Sequence, residues 1–274
     1  MIEQSIDDRG IATLTLARPE KHNALDAATM DALTTAAHTL GADDTVRAVV
    51  LRGAGTSFCA GGDLGWMRAQ MRADAATRTA EARRLADMLW ALNRLPKPLI
   101  GAIHGNAFGG GVGMAAVCDV AIGALGIRMG LTETRLGLIP ATIGPYVLAR
   151  MGEGRARRVF MSSRLFDASE AVDLGLLSRA VPLEALDEAV EAEIAPYLAC
   201  APGAVSAAKA LALDLGDGVT RTKVDHSIAA LGAQWETPEA REGIAAFFDK
   251  RPAAWIRQES ASDSRNPRET ARES

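Results

Sequence analysis

Apolar positions along this chain follow two rhythms. From Ile11, IATLTLAR alternates in part, the period-two pattern of a strand with one buried face, after a turn at Asp7 to Gly10. VRAVVLRG, LIGAIHG and DVAIGA are short, nearly continuous apolar runs, which predict buried strands. The first ends at Gly53, and Pro96 and Pro98 precede the second. Between them the period lengthens to that of a helix. Asp26 predicts the N-cap of a helix that buries Met30, Leu33, Ala37 and Leu40 and ends near Gly41. An arginine-rich helix is expected over about 74–94, and another from about Gly110 to Cys118. RPEKHNAL and AGTSFCAGGDL read as loops. Strand, helix, strand, helix with buried strands implies an α/β core with parallel crossovers. After about Arg150 the pattern is almost wholly helical, through RARRVFMS, ASEAVDLG, LEALDEAVEAEIAPYLA, GAVSAAKALALDLG and ALGAQWETPEAREGIAAFFDK. From about Gln258 the chain is rich in Ser, Arg and Glu without periodicity and reads as a disordered tail.

Composition narrows the function classes. With 48% hydrophobic and 23% charged residues over 274 positions, the chain is globular. A net charge of −4 argues against nucleic acid as a partner, and 4% aromatics argues against base stacking. Cys59, Cys118 and Cys200 show neither zinc spacing nor a disulfide framework, which fits a reducing cytoplasm. The four histidines form no HxxxH pair, and no metal site is expected. The N-terminus MIEQSIDDRG is polar and carries no signal peptide. Residues 99–127 are long enough to span a bilayer, but eight glycines interrupt them and they carry His104, Asn106 and Asp119. A buried strand, loop and helix is the better reading, with no membrane partner.

Two glycine-rich loops, FCAGGDL at 58–64 and FGGGVGM at 108–114, each follow a buried strand and precede a helix. Neither has the spacing of a dinucleotide fingerprint or a phosphate loop. Tight turns are one reading. The other is that loops at strand ends bind a ligand. Two glycine backbones can approach one oxygen and each present an N–H, forming an oxyanion hole. A helix beginning at Gly110 would add the positive end of its dipole. GLTETRLGLIP, 130–140, then offers Glu133 in apolar surroundings. Burial raises a carboxyl pKa and suits it to proton transfer near neutrality; a solvated loop glutamate is the alternative.

FCAGGDL, PKPLIGAIHGNAFGGGVGMAAVCDVAI and MGLTETRLGLIP, in that order and at those separations, resemble the enoyl-CoA hydratase/isomerase (crotonase) family. ARPEKHNAL and SEAVDLGLLSRAVP match its pattern too, so the resemblance spans about residues 10–255. It implies an α/β, crotonase-like spiral of ββα repeats over 1–200. A helical C-terminal trimerisation region at 201–257 and the tail at 258–274 would follow. It implies homotrimers or homohexamers, an acyl-CoA substrate, and no cofactor beyond the coenzyme A of the thioester itself.

Carried over by position, the oxyanion-hole N–H groups fall on Gly62 and Gly110. Of the family's two glutamate positions, one is Glu133 and the other is Gly113, which has no side chain to act as acid or base. Lys21, His22 and Ala24, with Ala60, Gly61, Asp63 and Leu64, resemble the segments that cradle coenzyme A. FFDKRP resembles the C-terminal segment whose Phe and Lys reach it, here Phe247 or Phe248 and Lys250, often from a neighbouring subunit. GGDLGWMRAQM and TETRLGLIPATIGPYV look most like members that hydrate branched, acidic enoyl thioesters of the methylglutaconyl-CoA type. A second carboxylate wants a cation, and Arg68 and Arg135 are candidates, with plain surface positions as the alternative. Trp66 and Met67 would line an acyl pocket or sit in the core, and Gly113 is expected to leave room for the acyl tail. The leading expectation is an enoyl-CoA hydratase. A 3,4-to-2,3 isomerase needs only one glutamate and is the first rival. A coenzyme A- or RNA-binding scaffold without turnover is opposed by the retained Glu133, both glycines and the acidic charge.

Overall fold

A computed structural model describes residues 1–256. The strands are β1 (Ile2–Ile6), β2 (Ile11–Leu16), β3 (Ala48–Gly53), β4 (Ser57–Cys59) and β5 (Leu99–Ile103). They continue with β6 (Asn106–Phe108), β7 (Val120–Ala124), β8 (Arg128–Gly130), β9 (Leu165–Asp167) and β10 (Arg179–Val181). They form two sheets, ordered β1-β2-β3-β5-β7-β10 and β4-β6-β8-β9, and from β3 to β8 the chain alternates between them. In the larger sheet, β2, β3, β5, β7 and β10 run parallel and β1 is an antiparallel edge.

Helices fill the turns: α1 (Ala27–Ala42), α2 (Leu64–Arg72), α3 (Ala75–Asn93), α4 (Gly110–Val117), α5 (Gly144–Met151) and α6 (Glu153–Phe160). After them come α7 (Ala168–Asp173), α8 (Leu186–Leu198), α9 (Pro202–Leu215), α10 (Arg221–Trp235) and α11 (Pro238–Phe248). The order β3-β4-α2, β5-β6-α4, β7-β8-α5 is a ββα spiral, each turn giving one strand to each sheet.

The apolar runs form the core. Every residue of β5 is buried, as are Ala48 to Leu51 of β3 and Ile11, Ala12, Leu14 and Leu16 of β2. The Asp26 side chain accepts from Thr29 N at 2.8 Å and starts α1, whose buried face includes Met30, Leu33, Ala37 and Leu40. That helix ends at Ala42, next to Gly41 as expected. Asp74 caps α3 in the same way, at 2.8 Å from Thr77 N.

Three features depart from the sequence pattern. β1 is nearly all exposed, so no buried alternation marks it. The loop expected around FCAGGDL contains β4. The stretch after Arg150 is not wholly helical: β9 pairs antiparallel with β8, and β10 parallel with β7. Strands of three residues are too short to show a period. Their register comes from the neighbouring strand rather than from their own pattern.

The C-terminal helices pack on this frame: α10 lies against α3 and α5, and α11 against the short 3₁₀ helix Glu133–Leu136. Among the described residues no single helix is long and apolar enough to cross a membrane. The tail expected at 258–274 lies outside the described residues.

Candidate active site

The two glycine loops meet because β4 and β6 are neighbours in the smaller sheet. After β4 the chain runs beside residues 22–25. Ala60 N donates to His22 O at 3.0 Å, Leu25 N to Gly61 O at 2.7 Å, and Asp63 N to Leu25 O at 2.9 Å. This ladder uses the groups on either side of Gly62 and leaves the Gly62 N–H without an acceptor among the described residues.

After β6, Gly109 takes φ +47° and donates its N–H to Gly130 O at 3.0 Å, and α4 then begins at Gly110. Like any first helical residue, Gly110 has no intrahelical acceptor, and its N–H has none elsewhere among the described residues. The glycines let the loops touch. A Cβ on Gly111 would lie 2.5 Å from Cys59 O, and one on Gly61, at φ +91°, would lie 3.1 Å from Phe108 O and 3.9 Å from Gly110 N. Side chains here would hold the two uncommitted donors apart.

Glu133 opens the 3₁₀ helix that follows β8. A Cβ on Gly109 would stand 3.0 Å from its Oε1, so the carboxyl lies against the second loop. Its Oε2 is buried and has no hydrogen-bond partner among the described residues. Burial disfavours the charged form and pushes the pKa from 4.5 up to about 7. The segment is clamped from behind. Gln234 Nε2 donates to Gly137 O at 2.7 Å, and a Cβ on Gly243 of α11 would fall 2.4 Å from the Leu136 carbonyl carbon.

These parts share a cavity of about 510 Å³ with mostly apolar walls. Gly62, Gly110 and Glu133 line it together. So do Ala60, Gly61, Leu64, Trp66 and Met67 from the first loop and α2, and Phe247 from α11. Trp66 is oriented by a 2.7 Å hydrogen bond from Nε1 to Glu81 and lies over Gly62. Arg135 also lines the cavity and has no ion pair among the described residues. Arg68 instead stacks on the Phe248 ring at 4.5 Å and does not reach the wall.

Several expected positions lie elsewhere. Lys21 and His22 are exposed beside the first loop, Ala24 is buried under it, and Lys250 is exposed past the end of α11. The Asp63 carboxylate is committed to structure: it caps α2 through Gly65 N and Trp66 N and pairs with Arg18 at 3.0 Å. Gly113 is a correction. It is buried outside the cavity wall, and a Cβ there would meet Ile143 Cγ2 at 2.5 Å and Leu89 Cδ2 at 3.6 Å. Ile143 already fills the space beside Gly113 that was expected to stand open.

The pattern gave no notice of Thr142, Leu231 or Trp235 in the wall. The last two are apolar residues one turn apart on α10, indistinguishable from core. Thr142 had one faint signal, a lone hydroxyl in the apolar run LIPATIG.

A family model described as enoyl-CoA hydratase/isomerase matches residues 7–258. A Thermus thermophilus protein provisionally named enoyl-CoA hydratase is 35% identical over 248 residues, covering 88% of this chain and 96% of its own. The crystal structure of an enoyl-CoA hydratase from Mycobacterium smegmatis is 34% identical with a TM-score of 0.76, covering 93% of this chain and 98% of its own. Pseudomonas aeruginosa AtuE is 35% identical with a TM-score of 0.76, covering 93% and 99%.

Proposed function

The chain belongs to the enoyl-CoA hydratase/isomerase family, and from that premise we propose that it adds water across the 2,3 double bond of a 2-enoyl-CoA thioester. The observation that carries this reading is the set of unspent groups in one apolar cavity. Two glycines whose N–H donors have no acceptor among the described residues line the same space as Glu133, whose buried Oε2 has no partner among them. The thioester oxygen sits between Gly62 and Gly110, where charge that develops on it is met by fixed donors and the N-terminus of α4. Water attacks C3 as Glu133 takes its proton. The double-bond electron pair moves into an enolate, and Glu133 returns the proton to C2. A carboxyl with pKa near 7 can do both.

The coenzyme A portion lies along the paired segments 21–24 and 60–64, with Phe247 at the cavity and Lys250 reaching a neighbour's nucleotide. A branched, acidic acyl group fits the cavity best, because Arg135 stands in its wall as a cation without an ion pair. Assembly into homotrimers or homohexamers would cover α9, which buries none of its residues within the chain and leaves Leu211 58% and Leu215 79% exposed.

The second reading is the 3,4-to-2,3 isomerase. Position 113 supplies no second acid, and one glutamate suffices to carry a proton between C4 and C2. The ultraviolet absorbance of the conjugated enoyl thioester separates the two. It disappears on incubation with a 2-enoyl-CoA if the chain is a hydratase, and grows from a 3-enoyl-CoA if it is an isomerase. No change with any thioester in a panel of chain lengths and branches would overturn both.

A further inference from the structure

We propose that Thr142 positions the attacking water against Glu133, the task left open by the missing side chain at 113; this rests on the hydratase reading. Among the described residues, seven buried side-chain polar atoms lack a hydrogen-bond partner. Two of them, Glu133 Oε2 and Thr142 Oγ1, belong to residues that line the cavity. A buried polar atom without a partner is costly, and such groups are otherwise satisfied by protein or by water. Two in one cavity wall call for a polar occupant small enough to serve both.

Thr142 is held firmly. It is 4% exposed, in a turn fixed by Ala141 N to Ile139 O at 2.8 Å and Gly144 N to Ala141 O at 2.9 Å. Its neighbour Ile143 is wedged against α4 and Leu89 at the position of Gly113. One turn therefore does two things: Ile143 closes the vacancy at 113, and Thr142 brings a hydroxyl into the wall.

A water with one hydrogen on Glu133 and the other on Thr142 Oγ1 keeps its lone pairs free for C3. As the water oxygen bonds to C3, Glu133 takes the first hydrogen as a proton. The C2–C3 pair moves into the enolate held by Gly62 and Gly110, and the same proton then goes to C2. The atoms of one water are all accounted for, and Thr142 makes and breaks no covalent bond. It is a positioning residue.

The test compares wild type with Thr142→Val, which keeps the shape and removes the hydroxyl, and Thr142→Ser, which keeps the hydroxyl. The substrate is the 2-enoyl-CoA that wild type hydrates fastest. Losing one hydrogen bond to the nucleophile should lower kcat about tenfold in the valine variant with KM changed less than about threefold, and serine should restore most of it. A second readout needs no nucleophilic water: exchange of the C2 proton of a saturated acyl-CoA with deuterated solvent. Thr142→Val should keep that exchange, while Glu133→Gln should lose it. The valine variant should also melt no lower than wild type, because it removes a buried hydroxyl that has no protein partner among the described residues. Should it fail to fold, Thr142→Cys carries the same comparison. If wild type hydrates no 2-enoyl-CoA, the hydratase reading falls and this assignment with it. If wild type hydrates but Thr142→Val stays within about threefold of its kcat, or loses exchange as much as hydration, this assignment alone is overturned.

Discussion

Replacing Glu133 with glutamine separates two consequences of one buried carboxyl. Raising its pKa from 4.5 to about 7 means that ionising it inside the fold costs about 3 kcal/mol more than in the unfolded chain, at about 1.4 kcal/mol per pH unit. The unfolded chain releases this proton near 4.5 and the folded chain near 7. Between those values the unfolded state binds fewer protons. Wild-type stability therefore falls as pH rises through the window, and stays lower above it. Glutamine never ionises, so Glu133→Gln should match wild type at pH ~4 and exceed it at pH ~8 by up to about 3 kcal/mol. For a chain of this size that is a rise of several degrees in thermal midpoint. Turnover should move the other way, falling ~10²–10⁴-fold with the loss of the acid–base group. Wild-type kcat/KM for hydration should drop about tenfold per pH unit below about 7, because the reaction starts from the carboxylate. Thermal scans at the two pH values and initial rates across the range measure all three. A glutamine variant that is no more stable at the higher pH would refute the buried, unpaired carboxyl. Near-normal turnover at saturating substrate would refute its role in proton transfer.

Proline at 62 or at 110 deletes an oxyanion donor outright and should lower turnover roughly 10²–10³-fold with the circular dichroism spectrum unchanged; a folded, fully active variant would count against the hole. Arg135→Met should raise KM for an enoyl-CoA with a second carboxylate and leave crotonyl-CoA unaffected, whereas equal effects would place Arg135 outside acyl recognition. Light scattering should give a mass near three or six times 28.8 kDa, and a stable monomer would leave α9 uncovered. Gly113→Ala should cost about 1–3 kcal/mol by forcing a methyl against Ile143, and Ile143→Ala should relieve part of that cost in the double variant. Strictly additive losses would mean the two positions do not compete for the same space.

Much of this arrangement was legible before any coordinates. The parallel order of β2, β3, β5 and β7 follows from long buried runs whose pattern survives whatever they pack against. Asp26 marked a helix start because capping is a local matter between a side chain and the next three residues. Gly62, Gly110 and Glu133 could be picked out because each sits in a motif that resembles a family pattern. The smaller sheet was harder to see. β4, β6 and β8 have three residues each, the first two ending at the glycine loops and the third just before Glu133, and only their mutual pairing makes them strands.

Position 113 shows where reading one residue at a time breaks down. A glycine in a family's acid position reads as an empty place, and an empty place beside a substrate reads as room for a larger one. The emptiness is a property of the pair. Ile143, thirty residues on, sends Cγ2 into the volume that a side chain at 113 would need. Neither residue is informative alone: glycine is common at a crowded helix, and isoleucine is common in a core. Together they fill the place where the acid would stand, and the same turn puts Thr142 among the residues that line the cavity with Glu133. On the proposed reading, the missing acid at 113 and the hydroxyl of Thr142 both follow from the same turn. A change at 113 alone should therefore not restore the two-carboxylate site, because the glutamate would have to displace Ile143 before it could reach the substrate.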